Sequence, residues 1–161
     1  MEDNILKQFK MTANQLYDYV LKHVETIIGN KVTSGYQLDD LCRKSFGNQW
    51  AGVYPADRIP ELNAEKCKAI YNADKFGEPG SHWMALFYDK DSGHTYSYDS
   101  FGRGLKTDRV YNNVRKSQRL KLKESQEFDA EQTMKEENCG ARSAAWLCLA
   151  GNIPIKDLMR I

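Results

Sequence analysis

The sequence predicts an α+β fold, a central mixed or antiparallel sheet flanked by helices, from three observations. Apolar residues recur at helical spacing near the start, β-like alternation is confined to the middle, and a nearly uniformly apolar helix closes the pattern after a basic stretch. The 161 residues are 41% hydrophobic and 28% charged, with 23 Lys plus Arg against 22 Asp plus Glu, which suits one compact domain over 1–161 and excludes a disordered chain. No apolar run approaches the roughly 18 residues needed to cross a bilayer, and the polar start Met1 to Lys10 is unlike a signal peptide. The expectation is a soluble protein of a reducing compartment.

The elements follow in order. Thr12 to Ile28 is an amphipathic helix with Leu16, Tyr19, Val20, Val24, Ile27 and Ile28 as its apolar positions, Thr12 as cap and Gly29-Asn30 as stop. Tyr36 to Phe46 is a second, shorter helix ended by Gly47-Asn48, and Trp50 to Tyr54 is a short strand or extended loop closed by Pro55 and Pro60. Lys66 to Asn72 alternates weakly. His82 to Tyr88 and His94 to Asp99 flank the turn-rich loop Asp89-Lys-Asp-Ser-Gly93 and together read as a hairpin. A short helix is predicted at Asp108 to Leu120, with extended chain after it. Cys139 to Ala150 is small or apolar on every side apart from Arg142 and Ser143, the mark of a buried central helix, with Gly151-Asn152 as stop and Pro154 beyond.

Four cysteines with no CxxC pair and no interleaved histidines argue against a disulfide scaffold or a structural zinc site, and no cofactor is implied. Cys139 differs from the rest because it heads a helix, where the dipole and unpaired N–H groups favour the thiolate. Gly140 beside it lets a substrate backbone approach. Cys42, Cys67 and Cys148 sit within apolar patterns and read as small core residues. A thiol nucleophile needs an imidazole and a group to orient it. His23 reads as an ordinary helix histidine and His94 belongs to the hairpin turn, whereas His82 opens a strand and is followed by Trp83, a wall for the site. With the loop centred near Asp91, pairing puts Ser100 opposite His82 and Asp99 within a residue of it; Asp99 reads equally well as a turn cap ahead of Ser100-Phe-Gly102. The Cys139 N–H is one oxyanion donor, and Gln132 or Asn138 could supply a second.

As a set, Gly80-Ser-His82-Trp-Met-Ala-Leu-Phe-Tyr, Tyr98-Asp99-Ser-Phe-Gly102, Gln132 and Asn138-Cys139-Gly140 resemble the adenain family of viral cysteine proteases, in the order His, acid, Gln, Cys. Trp50 to Pro60 is similar to the segment that precedes the histidine there, so the resemblance runs from about Tyr36 to Ala150. It is greatest to the maturation proteases of mavirus-type virophages and Polinton elements. The resemblance implies the adenain and SUMO-protease clan fold, with Cys139 as nucleophile, His82 as general base and acid, Asp99 as its orienter and Gln132 as oxyanion donor. Gly80, Trp83, Asn138 and Gly140 are then the residues expected to touch substrate. It further implies cleavage of capsid precursors after glycine, in Gly-Gly or Gly-X contexts, in the virion or host cell interior.

Residues 103 to 123 carry eight cations, Arg103, Lys106, Arg109, Arg115, Lys116, Arg119, Lys121 and Lys123, against Asp108 alone. Such a patch could hold DNA by phosphate contacts, a partner the family also uses, although a single aromatic, Tyr111, among eight cations fits a solvated face as well. No counterpart of a peptide activator is evident. Two other functions fit the sequence: a SUMO- or ubiquitin-like-protein protease of the same clan, and a catalytically silent nucleic-acid or scaffold-binding module on the same fold.

Overall fold

The computed structural model describes residues 5–73, 82–100, 122–123 and 138–161. A single turn, α1 (Ile5–Gln8), leads into α2 (Ala13–Ile28). Thr12 caps α2 with a reciprocal pair: its hydroxyl accepts from the Gln15 N–H at 3.1 Å, and the Gln15 side chain accepts from the Thr12 N–H at 2.9 Å. Gly29, at φ 84°, ends the helix where a side chain would be strained. Ser34 and Gln37 repeat the capping box at the head of α3 (Gly35–Phe46).

Among the described residues five strands follow: β1 (Trp50–Tyr54), β2 (Lys68–Asn72), β3 (Trp83–Asp89), β4 (His94–Tyr98) and the two-residue β5 (Leu122–Lys123). They lie side by side in chain order, with β1 parallel to β2, the β2–β3 and β3–β4 pairs antiparallel, and β5 parallel to β4. The sheet is thus mixed. All five residues of β2 are buried, because it has strands on both edges and apolar layers on both faces, which is why its sequence alternates so weakly. One face packs against the helices through Ile70, Ala85, Phe87, Tyr96 and Tyr98. Among the described residues, the opposite face, with Ala69, Tyr71, Met84 and Leu86, is covered by the segment bearing Ala56, Ile59 and Leu62.

The apolar helix α4 (Cys139–Leu149) lies between α2 and the sheet, packed on β3, with Ala141, Ala144, Ala145, Trp146, Leu147 and Leu149 buried. Chain continues through Pro154 into α5 (Ile155–Leu158), so the proline opens a new turn as well as marking the end of α4. The face that α2 turns to the core is Tyr17, Leu21 and Val24, whereas Tyr19 and Ile27 are exposed. The expected stripe was rotated because Tyr17 is buried with its hydroxyl satisfied, 2.7 Å from that of Tyr98. The helix predicted at Asp108 to Leu120 lies outside the described residues. Among those described, no helix is long and apolar enough to cross a membrane.

Candidate active site

Cys139 is the first residue of α4, and Asn138 precedes it as N-cap. Its thiol is partly exposed, while Cys42 and Cys67 are buried and Cys148 half-buried on the same helix; all four are free. Burial raises the pKa of Cys42, Cys67 and Cys148. At Cys139 burial acts in the same direction, but a hydrogen bond with His82, the Trp83 N–H and the positive imidazole outweigh it and hold the thiol below its ordinary value. The Trp83 N–H lies 3.4 Å from Sγ.

His82 stands immediately before β3. Its carbonyl accepts from the Ala73 N–H at 2.9 Å, which ties the histidine to the end of β2. Its Nε2 lies 2.6 Å from Asp99 Oδ1, and the side chains are only 4% and 11% exposed, so solvent screens the contact little. Burial alone would lower the imidazole pKa, but the hydrogen bonds to Asp99 and Cys139 raise it above its ordinary value. With Nε2 committed to the carboxylate, Nδ1 is the nitrogen left for the thiol.

The hairpin register differs by one residue from the expected one: Ala85 faces Tyr98 and Asp89 faces His94, whereas a loop centred on Asp91 would have set Ala85 opposite Ser97. The ladder ends at the Ala85–Tyr98 pair, β3 begins at Trp83 and β4 ends at Tyr98, so His82 and Asp99 both lie just outside the strands and their contact is not set by strand alternation.

Trp83 is held from several sides: its indole N–H donates to the Thr33 carbonyl at 2.9 Å, and its own carbonyl accepts from the Ser143 hydroxyl at 3.2 Å. Gly140 allows the helix to come this close, since a Cβ there would stand 3.2 Å from both δ-carbons of Leu38 and 3.3 Å from Trp83 Cδ1. Asn138 is 7% exposed, and its Oδ1 accepts from Arg142 Nε at 3.1 Å, while Arg142 also reaches the Tyr17 hydroxyl at 3.3 Å. Thr33, Arg142 and Ser143 were not foreseen as parts of the site. For Ser143 a signal existed: a hydroxyl inside an otherwise apolar buried helix must find a partner.

Of the other expected site residues, Gly80, Gln132 and the cations Arg103, Lys106, Arg109, Arg115, Lys116, Arg119 and Lys121 lie outside the described residues, and Lys123 is placed in β5 by its backbone. His23 is exposed on α2. His94 pairs with Asp89 at the turn end of the hairpin, the opposite end of the ladder from His82.

An imidazole bound to a carboxylate, and a thiol at the head of a buried helix held by the N–H of the residue next to that imidazole, are the components that a thiol-hydrolase centre requires. No family model matches the chain. Over 47 residues the chain is 38% identical to a protein of Acanthamoeba polyphaga mimivirus named "Putative thiol protease R355"; the match spans 29% of this chain and 16% of that protein.

Proposed function

We propose that this chain is a cysteine endopeptidase of the adenain type that cleaves viral capsid precursors after glycine during virion maturation. The observation that carries the reading is the buried 2.6 Å contact of His82 with Asp99, beside a Cys139 thiol whose pKa is depressed by that same histidine. The partial likeness to a viral thiol protease supports the class; the substrate rests on the resemblance of the motifs. In the reaction the Cys139 thiolate attacks the scissile carbonyl, and imidazolium His82 gives its proton to the departing amine. The same histidine then takes a proton from water, which hydrolyses the thioester. Asp99 keeps the imidazole oriented and offsets its charge. The Cys139 N–H at the helix N-terminus is one donor to the developing oxyanion, with Gln132 proposed as the other. Neither step calls on a cofactor.

The test is a cleavage profile on a library of capsid-type peptides with Cys139→Ala as control. Cleavage after glycine by the parent chain, lost in a variant that keeps its fold, is the expected result; equal proteolysis by the variant would remove the mechanism. Processing of a SUMO precursor with no action on capsid-type peptides would move the assignment to the sister class of proteases. DNA is proposed as a second partner through residues 103 to 123, with an affinity that falls steeply with salt.

A further inference from the structure

The helix that carries the thiol grips one strand residue at three points. Cys139 Sγ accepts from the Trp83 N–H, Gly140 lies against the Trp83 ring, and Ser143 donates to the Trp83 carbonyl. Residues 139, 140 and 143 share one face of α4, so the strand residue next to His82 is fixed along a full helical turn. A serine inside a helix ordinarily turns its hydroxyl back to the carbonyl four residues earlier, which here belongs to Cys139. Ser143, wholly buried, spends its hydrogen bond across the interface instead. The consequence is geometric: the peptide that supplies the N–H at the thiol and the residue that supplies the imidazole are both held to the nucleophile's own helix.

We propose that Ser143 is a positioning residue for the thiol–imidazole pair, acting through Trp83 to keep the Trp83 N–H and His82 within reach of Cys139. This inference rests on the protease reading above. Ser143→Ala removes the donor with almost no change in volume. Loss of one buried hydrogen bond between protein groups is worth a factor of about three to ten in an equilibrium. The variant is therefore expected to lose about three- to tenfold in kcat with KM unchanged, and to shift the pH midpoint of Cys139 alkylation upward.

Alkylation can be followed at this thiol alone, because trypsin releases Glu136 to Arg142, a peptide whose one cysteine is Cys139 and which excludes position 143. Iodoacetamide labelling of the intact protein across pH, read by mass spectrometry of that peptide, gives the midpoint without any proteolytic assay. A parent chain with a depressed midpoint and a Ser143→Ala midpoint displaced upward supports the inference. A depressed parent midpoint that the variant leaves unmoved overturns the role of Ser143 and leaves the protease reading standing. A parent thiol that titrates like free cysteine overturns both. Should Ser143→Ala not fold, Ser143→Thr, which keeps the hydroxyl, is read the same way: a midpoint at the parent value supports the inference, and one displaced upward in a folded protein overturns it.

Discussion

At the site the two titrations run in opposite directions, and that sets a pH window. His82 has its pKa raised, so the stability gained from its contacts is complete below its ordinary value of 6.5 and is lost as pH climbs through the raised one. Cys139 has its pKa lowered, so its contribution is complete above the ordinary thiol value of 9.0 and is lost as pH falls through the lowered one. Thiolate and imidazolium coexist at pH values above the thiol's titration and below the imidazole's, two titrations that these shifts move toward each other, and activity should trace a bell. Asp99 holds up the alkaline side of it. Replacing Asp99 by Asn keeps the shape but deletes the charge, and the alkaline limb of kcat/KM is expected to move to lower pH. A pH–rate profile checks this; an unmoved alkaline limb would exclude Asp99 as the source of the shift.

The approach of α4 to β3 and α3 depends on a missing side chain. In Gly140→Ala the new Cβ would press on Leu38, whose branched end can turn aside, and on Trp83, whose indole is pinned by Thr33 and whose carbonyl is pinned by Ser143. The helix must give way. Overpacking of this kind costs about 1–3 kcal/mol, so thermal unfolding should fall by several degrees and kcat should drop with it. Elements of this size were largely legible in the sequence, because α2 and α3 announce themselves by spacing and stop residues that act locally, and α4 by a run that is small or apolar on almost every side. The short turns α1 and α5 were not, since four residues carry too little periodicity to be seen. Nor was the rotation of α2: a tyrosine can occupy the core once a distant hydroxyl satisfies it, and Tyr98 lies 81 positions away. The hairpin was visible from its turn residues, but its register was not, because Asp89-Lys-Asp-Ser-Gly93 closes through Gly93 N–H to Asp89 O and moves the ladder by one. For the site, His82, Asp99 and Cys139 could be named from residue type and order, and the structure brings those three together. Thr33 and Ser143 hold Trp83 through backbone carbonyls, its own and that of Thr33, which no pattern displays; only the hydroxyl of Ser143 in an apolar helix signalled a partner.

Across the whole molecule the buried titratable groups outside the site decide how stability responds to alkali. Cys42, Cys67 and Cys148 keep their protons when folded, whereas in the unfolded chain they ionise from about 9.0 upward, so stability falls as pH rises past that value. Lys68 opposes them. Its ammonium is buried over the Phe46 ring, 4.4 Å from the centroid, and donates to the Leu147 carbonyl at the end of α4, and burial lowers its pKa from 10.5. Between the lowered and ordinary values the unfolded chain binds the extra proton, and stability rises with pH. Three thiols outweigh one amine, so the melting temperature at pH 10 should lie below that at pH 7, and Cys42→Ala should flatten the difference whatever it does to the neutral value. A melting temperature that climbs with alkali would contradict the burial of the thiols. Chain order carries a last consequence. The ribbon that provides His82 and Asp99 is synthesised before the helix that bears Cys139, so the sulfur can acquire its neighbours only once that helix has docked on the sheet. On the protease reading proposed above, a chain still on the ribosome without Cys139 carries no completed centre.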